Sequence, residues 1–347
     1  MNVKRIGFFI LALNVVAAAA SAQNVKITPL GSHTGEFCAT DRALIFEDPT
    51  GVRILYDAGQ SVAGGTDPRL GMVHVVLLSH AHGDHIGDVK LVKVDGGSCA
   101  RPETVSAAPH SNTAEIAAAK NSAVVASNDM SVFLGRKIEN IRGIPTGDCT
   151  TTALTRETTV PQSVPCRANL QLGGKRTLKF AGAREGVGIS LVQADHSNNV
   201  PRSLLTDGTK TNLAADALTA YVGHANGYVL EFTNGLKVYL TGDTALMGDM
   251  KTIISGFYQA NLVVINTGAF AMQSHQAAYA VNELIQPNAV IPSHANEAAT
   301  AGGKLRAESR TRQFVDLIKG RPVHLPLSGK IMEFDGSARC VAGCSPL

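Results

Sequence analysis

The chain of 347 residues contains no tryptophan, and aromatic side chains make up only 5% of it. That disfavours a stacking platform for single-stranded nucleic acid, which lines a groove with aromatic rings. Charge is sparse as well: Asp, Glu, Lys and Arg total 17%, with a formal balance of +3. Without Lys4 and Arg5, which fall in a segment expected to be removed, the balance drops from +3 to +1. No clustered basic footprint for nucleic acid and no charge run for a membrane surface is present. The six cysteines include no C-x-x-C pair, so a cysteine-built metal site is disfavoured. Beyond the N-terminal segment no apolar run reaches the roughly 18 residues of a membrane span.

What is present begins with that segment. MNVKR is followed by the apolar stretch IGFFILALNVVAAAA and then by Ala20-Ser21-Ala22, a small-residue cleavage pattern. Residues 1–22 are therefore expected to be a signal peptide, with an uncleaved anchor the alternative since the apolar run borders on span length, and residues 23–347 an exported domain, periplasmic or secreted, with no membrane attachment after cleavage. An even number of cysteines fits an oxidising compartment. Cys340 and Cys344 can close a small terminal loop, and Cys149 and Cys166 can staple one irregular segment, but the spacing of Cys38, Cys99, Cys149, Cys166, Cys340 and Cys344 selects no pairing.

Short β-rich runs open the mature chain: VKITPLG, ALIFED, VRILYDAG and MVHVVLLSH. IGDVKLVKV reads as a possible helix start, and SNTAEIAAAKN has helical periodicity. Residues 143–176, rich in Thr, Pro and Gly, read as an irregular surface excursion. Strand-like VGISLVQAD follows, then a hairpin of YVLEF and LKVYLTGD turned at Thr233-Asn234-Gly235. TALMGDMKTIIS, HQAAYAVNELIQ and TRQFVDLIKG read as helices; NLVVINTG, NAVIPSH, PVHLPL and KIMEFD read as strands. Strands alternating with helices, together with the hairpins, predict a layered α/β fold with mixed sheets.

LLSHAHGDHIGD, Leu77 to Asp88, stands apart from this grammar. His80, His82, Asp84 and His85 crowd the turn that ends a buried strand. In extended chain i and i+2 share a face, so His80 and His82 can point together while Ala81 turns away. Gly83 permits a sharp turn, after which Asp84 and His85 can project from the next helix. Imidazole and carboxylate donors suit zinc, iron or manganese better than calcium or magnesium. A lone histidine would be an ordinary polar residue; four such groups in six positions point to a metal.

SHAHGDHIGD carries the H-x-H-x-D-H signature and thereby resembles the metallo-β-lactamase superfamily. GDTALMGDM, INTGAFAM, HQAAYAV and IPSHANE, in that order, make the chain most similar to the UlaG-like metal-dependent hydrolases, over about residues 26 to 334. The match is poorest in residues 97–180 and 197–222. The resemblance implies a four-layer αβ/βα sandwich, two mixed sheets flanked by helices, with two divalent cations, zinc first and manganese or iron next, at one edge. It implies His80, His82 and His196 at the first cation, Asp84, His85 and His294 at the second, and Asp243 between them. Asp57, in ILYDAG, matches an acidic residue that orients the ligands rather than binding metal.

The activity so implied is hydrolysis of a small molecule through a metal-bridging hydroxide, with Asp84 both ligand and proton shuttle. A lactone or related ester is favoured, since the group's namesake opens a sugar lactone. A β-lactam is the alternative, as is a non-catalytic periplasmic metal-binding protein. His33, His224 and His275 are candidates for touching substrate from loops or helix starts, whereas His74, His110 and His324 fit ordinary strand or loop positions. The segment Ser197 to Tyr221, directly after His196, is either a substrate-selecting rim or passive surface.

Overall fold

The computed structural model describes residues 23–150, 156–205 and 219–345. The expected signal peptide and much of the 197–221 insertion lie outside them. Two sheets face one another. The first has eight strands in the order Cys166–Arg167, Ala123–Val125, Val75–Leu77, Arg53–Tyr56, Leu44–Glu47, Val25–Pro29, Met332–Phe334 and Cys340–Ala342. The second has seven, in the order Glu157–Val160, Lys175–Phe180, Val187–Gln193, Asn226–Glu231, Lys237–Leu240, Leu262–Asn266 and Ala289–Ser293.

Strict alternation along these strands produces the layers. Ile54, Tyr56, Val75 and Leu77 from the first sheet meet Val238, Leu240, Leu262 and Val264 from the second in one central core. The intervening side chains point outward. Leu55 and Val76 pack under helices Asn112–Lys120 and Asn128–Arg142, while Tyr239, Val263 and Ile265 pack under helices Met250–Tyr258, Ser274–Tyr279 and Arg310–Leu317. Period-two patterning on both faces of both sheets gives the expected four-layer αβ/βα sandwich.

Three local expectations need revision, and one helix is new. IGDVKLVKV does not begin a helix: the helix is only Gly83–Ile86, closed by Gly87 at φ 75°, and Val89–Leu91 then pairs with Thr104–Ser106. An added Cβ on Gly87 would lie 2.4 Å from both the Asn112 Cβ and the Gly59 carbonyl oxygen, so only glycine fits. The 143–176 excursion carries edge strands of both sheets, Cys166–Arg167 and Glu157–Val160, with Thr158 and Val160 buried. PVHLPL is no strand, since Pro322 and Pro326 lack N–H donors; it contributes a single bridge between Val323 and Val290. Helix Asn128–Arg142 is an addition, with Met130, Leu134 and Ile138 buried at four-residue spacing.

All six cysteines pair, Cys38 with Cys99, Cys149 with Cys166 and Cys340 with Cys344. Among the described residues no helix is long and apolar enough to cross a membrane. The sheets are tied at one end by Tyr228, whose buried hydroxyl donates to the Leu78 carbonyl at 2.8 Å. Tyr228→Phe removes that bond and strands a buried carbonyl, and should lower unfolding free energy by about 1–3 kcal/mol in a denaturant titration.

Candidate metal centre

Parallel strands explain why distant residues meet at one edge. Arg53–Tyr56 runs parallel to Val75–Leu77, and Lys237–Leu240, Leu262–Asn266 and Ala289–Ser293 are parallel to each other. Val187–Gln193 shares their direction, being antiparallel to Asn226–Glu231, which is antiparallel to Lys237–Leu240. Asp57, His80, His196, Asp243 and His294 each follow such a strand end by one to three residues. Strand termini thus bring five segments together without any local sequence signal linking them.

The seven expected donors form one cluster. Ligand atoms of His80, His82 and His196 all lie within 4.8 Å of one another, as do those of Asp84, His85 and His294 and those of His80, His85 and Asp243. Asp243 Oδ2 stands between the groups, 3.5 Å from His85 Nε2, 3.1 Å from His294 Nε2 and 3.9 Å from His196 Nε2. Asp84 Oδ2 lies 3.0 Å from His294 Nε2 and 3.7 Å from His85 Nε2. His80, His85, Asp243 and His294 are buried, whereas His82, Asp84 and His196 are only half-buried. The cluster therefore opens toward solvent on that second side.

Beneath it, Asp57 fixes the ring orientations. Its Oδ1 accepts the Ser79 N–H at 2.8 Å, and its Oδ2 accepts the Ser79 hydroxyl at 2.7 Å and lies 2.8 Å from His85 Nδ1. That contact places the His85 ring proton on Nδ1. Ser79 has spent its only proton on Asp57, so toward His80 Nδ1, 3.0 Å away, its oxygen can only accept. Nε2 of both rings consequently faces inward, as a lone pair on neutral His80 and, once its second proton has left, on His85. His80 Nε2, His85 Nε2 and Asp243 Oδ1 are buried with no hydrogen-bond partner. Orphaned polar atoms of this kind are costly unless something occupies the space between them. The donor set fits a pair of divalent cations.

Electrostatics point the same way. Burial, reinforced by neighbouring rings, holds the His80 and His82 imidazoles below their ordinary value and so neutral, the form that binds metal. Burial opposes charge on His85 too, but Asp243, Asp84 and Asp57 outweigh it and push its pKa up to about 10. Burial opposes charge on Asp243 and Asp84, yet the adjacent histidines, and Arg42 for Asp84, hold both carboxyls well below the usual range. A proton on His85 thus does in part what a cation would do.

Two of these positions carry backbone strain. Asp57 and His294 have φ of 41° and 54°, in the left-handed region, at a cost of about 1–3 kcal/mol each. Gly268 admits the His294 ring: a Cβ there would come within 2.4 Å of His294 Nδ1. Other neighbours have no sequence signature. Arg42 Nη2 donates to Asp84 Oδ2 at 3.1 Å, and Asn198 Oδ1 accepts the Ala81 N–H at 2.7 Å. Ser197 Oγ sits 3.2 Å from His82 Nε2. His33, half-buried, and His224 and His275, both exposed, make no hydrogen bond or ring contact to the cluster among the described residues. A separate grouping, His324 with Cys340 and Cys344, loses its thiolates to the disulfide.

A family model described as the beta-lactamase superfamily domain matches residues 52–309. The chain belongs to the metallo-β-lactamase superfamily. Two bacterial relatives, both called metal-dependent hydrolases, illustrate the kinship. The one from Cupriavidus taiwanensis is 27% identical over 237 residues, 68% of this chain and 63% of its own length, somewhat under two thirds. The one from Koribacter versatilis is 28% identical over 300 residues, 85% of this chain and 93% of its own. Among solved structures, the metallo hydrolase Igni18 of the archaeon Ignicoccus hospitalis superposes with a TM-score of 0.54 at 20% identity, covering 90% of this superfamily member and 99% of that chain. That likeness is one of fold.

The raised His85 pKa has a measurable consequence. Because the folded value lies above the ordinary 6.5, this group's contribution to metal-free stability is fully present below pH 6.5 and is lost as pH rises through about 10. A divalent cation must displace the same proton. Zinc addition to metal-free protein near pH 7.5 should therefore release about one proton per chain from this group, read by calorimetry in buffers of differing ionisation enthalpy.

Proposed function

We propose that this chain is an exported, dinuclear metal-dependent hydrolase, with zinc the first candidate, acting on a lactone or related ester. The observation that carries it is the pair of three-donor groups joined through Asp243, with Nε2 of His80 and His85 already turned inward. The names of both bacterial relatives support the coarse class, metal-dependent hydrolysis. Three disulfides with no free cysteine support export to an oxidising compartment. The preference for a lactone over a β-lactam rests on the resemblance to UlaG-like hydrolases, an analogy rather than site chemistry.

His80, His82 and His196 would hold one cation and Asp84, His85 and His294 the other, with Asp243 shared. Two such ions lower the pKa of water and polarise the scissile oxygen. The protein's own part is positional. Asp57 locks His85, and through Ser79 the His80 ring, into the tautomers that ligation needs. Asp84 stands on the open side with its side chain 35% exposed, so its carboxylate can take a proton from an attacking water and pass it to the leaving oxygen. The half-buried His82 and His196 border the same opening, which is where a small substrate would enter.

Elemental analysis of the purified protein should find about two divalent ions per chain and, in His82→Ala, about one. A panel of lactone, β-lactam and phosphodiester substrates should show turnover of the lactone, reduced at least about 100-fold in His82→Ala. Turnover of the β-lactam alone would replace the substrate assignment, two ions with no turnover of any kind would favour a metal-binding protein, and a folded protein without metal would overturn the whole reading.

A further inference from the structure

Arg42 is the least expected side chain at this edge. Its side chain is 3% exposed, and it sets a further positive charge beside a cluster proposed to gather two dications. Four of its five N–H groups are committed. Nη1 donates to the Ala39 and Asp41 carbonyls, each at 3.1 Å, and Nη2 donates to Asp84 Oδ2 and Asn296 Oδ1. Nε is buried and without a partner. The side chain is also confined: a Cβ on Gly59 would lie 3.3 Å from the Arg42 Cβ and 2.7 Å from the Asp84 carbonyl oxygen. A guanidinium so occupied has no free fork for a substrate carboxylate.

What it does reach is one oxygen of Asp84. Oδ2 takes the Arg42 contact and also faces His294 Nε2 at 3.0 Å and His85 Nε2 at 3.7 Å. No hydrogen bond or ion pair reaches Oδ1 among the described residues, although the carboxylate is partly exposed. We infer that Arg42 is a positioning residue, turning Asp84 so that Oδ2 faces His85 and His294 while Oδ1 faces the open mouth of the site. Oδ2, held by Arg42, would be the oxygen offered to the second cation, leaving Oδ1 as the one that could exchange protons with substrate. The loop that carries Arg42 is itself anchored, by the Cys38–Cys99 disulfide and by Asp41, whose carboxylate accepts the Ser32 and Cys38 N–H groups at 2.8 Å.

The inference rests on the dinuclear reading, and cobalt(II) titration of metal-free protein separates the two. Wild-type protein should take two ions with distinct visible spectra. Arg42→Met should keep the first and bind the second about 10–100-fold more weakly. Arg42→Lys keeps the charge without the planar fork and should weaken the second about three- to tenfold. In the zinc-loaded enzyme kcat should fall while KM stays within about twofold, since Arg42 does not touch substrate. Wild-type affinity for both ions in Arg42→Met would overturn the inference. So would equal weakening of both ions in both variants alongside a lowered melting temperature, the mark of a residue that merely holds the fold. Wild-type protein binding fewer than two ions would instead defeat the dinuclear reading and this inference with it.

Discussion

Asp243 is buried among His85, His196 and His294, and a carboxylate in that position is tolerable only when positive charge is held against it. The rest of the edge follows from meeting that need. Histidines supply charge or lone pairs according to what else is bound, and Asp57 and Ser79 decide which nitrogen each ring turns inward. Without a cation, His85 keeps a proton and the cluster is a network of ion pairs. With cations, as proposed, the proton would leave and the same atoms would become ligands. One geometry serves both states because its orientation is set from below, by groups that do not change partners.

The fold makes such convergence cheap in backbone terms. A strand end leaves the next few residues free of ladder hydrogen bonds, and parallel neighbours place those residues side by side. Five segments reach one site in this way while the strands behind them stay in regular register. Tyr228, bonding to the Leu78 carbonyl across the central core, closes the two sheets together just beneath the cluster. Among the seven proposed donors and Asp57, positive φ falls on Asp57 and His294, whose side chains it directs where an extended chain would not.

Much of this edge was legible in the sequence, for a physical reason. His80, His82, Asp84 and His85 are dense enough that no ordinary turn would collect them, and His196, Asp243 and His294 each close a recognisable apolar run. The layered α/β fold was legible from the same runs. The edge strands Cys166–Arg167 and Glu157–Val160 were not, because two to four residues carry no usable periodicity and their pairing is non-local. Arg42, Asn198 and Asn296 were hidden for a related reason. Each is a single residue whose partner lies far along the chain, 42 residues away for Arg42 with Asp84 and 117 for Asn198 with Ala81. Helix Asn128–Arg142 was within reach, since Met130, Leu134 and Ile138 keep helical spacing between Ser127 and Gly143.

Burial divides the cluster into a fixed floor and an open rim, and that division constrains function more than the identity of the metal does. His80, His85, Asp243 and His294 are enclosed by the sheets, so nothing larger than an ion or a water can meet them from below. His82, Asp84 and His196 border solvent, and Ser197, Phe270 and Leu246 are exposed on loops that leave the same strand ends. On the proposed hydrolase reading, a substrate would approach from the rim, toward the half-buried carboxylate and two histidines. Chemistry common to the superfamily can reside in the floor, where every contact is determined by the sheets. Selectivity on that reading would arise at the rim, whose loops present exposed side chains such as Phe270 and Leu246 to solvent.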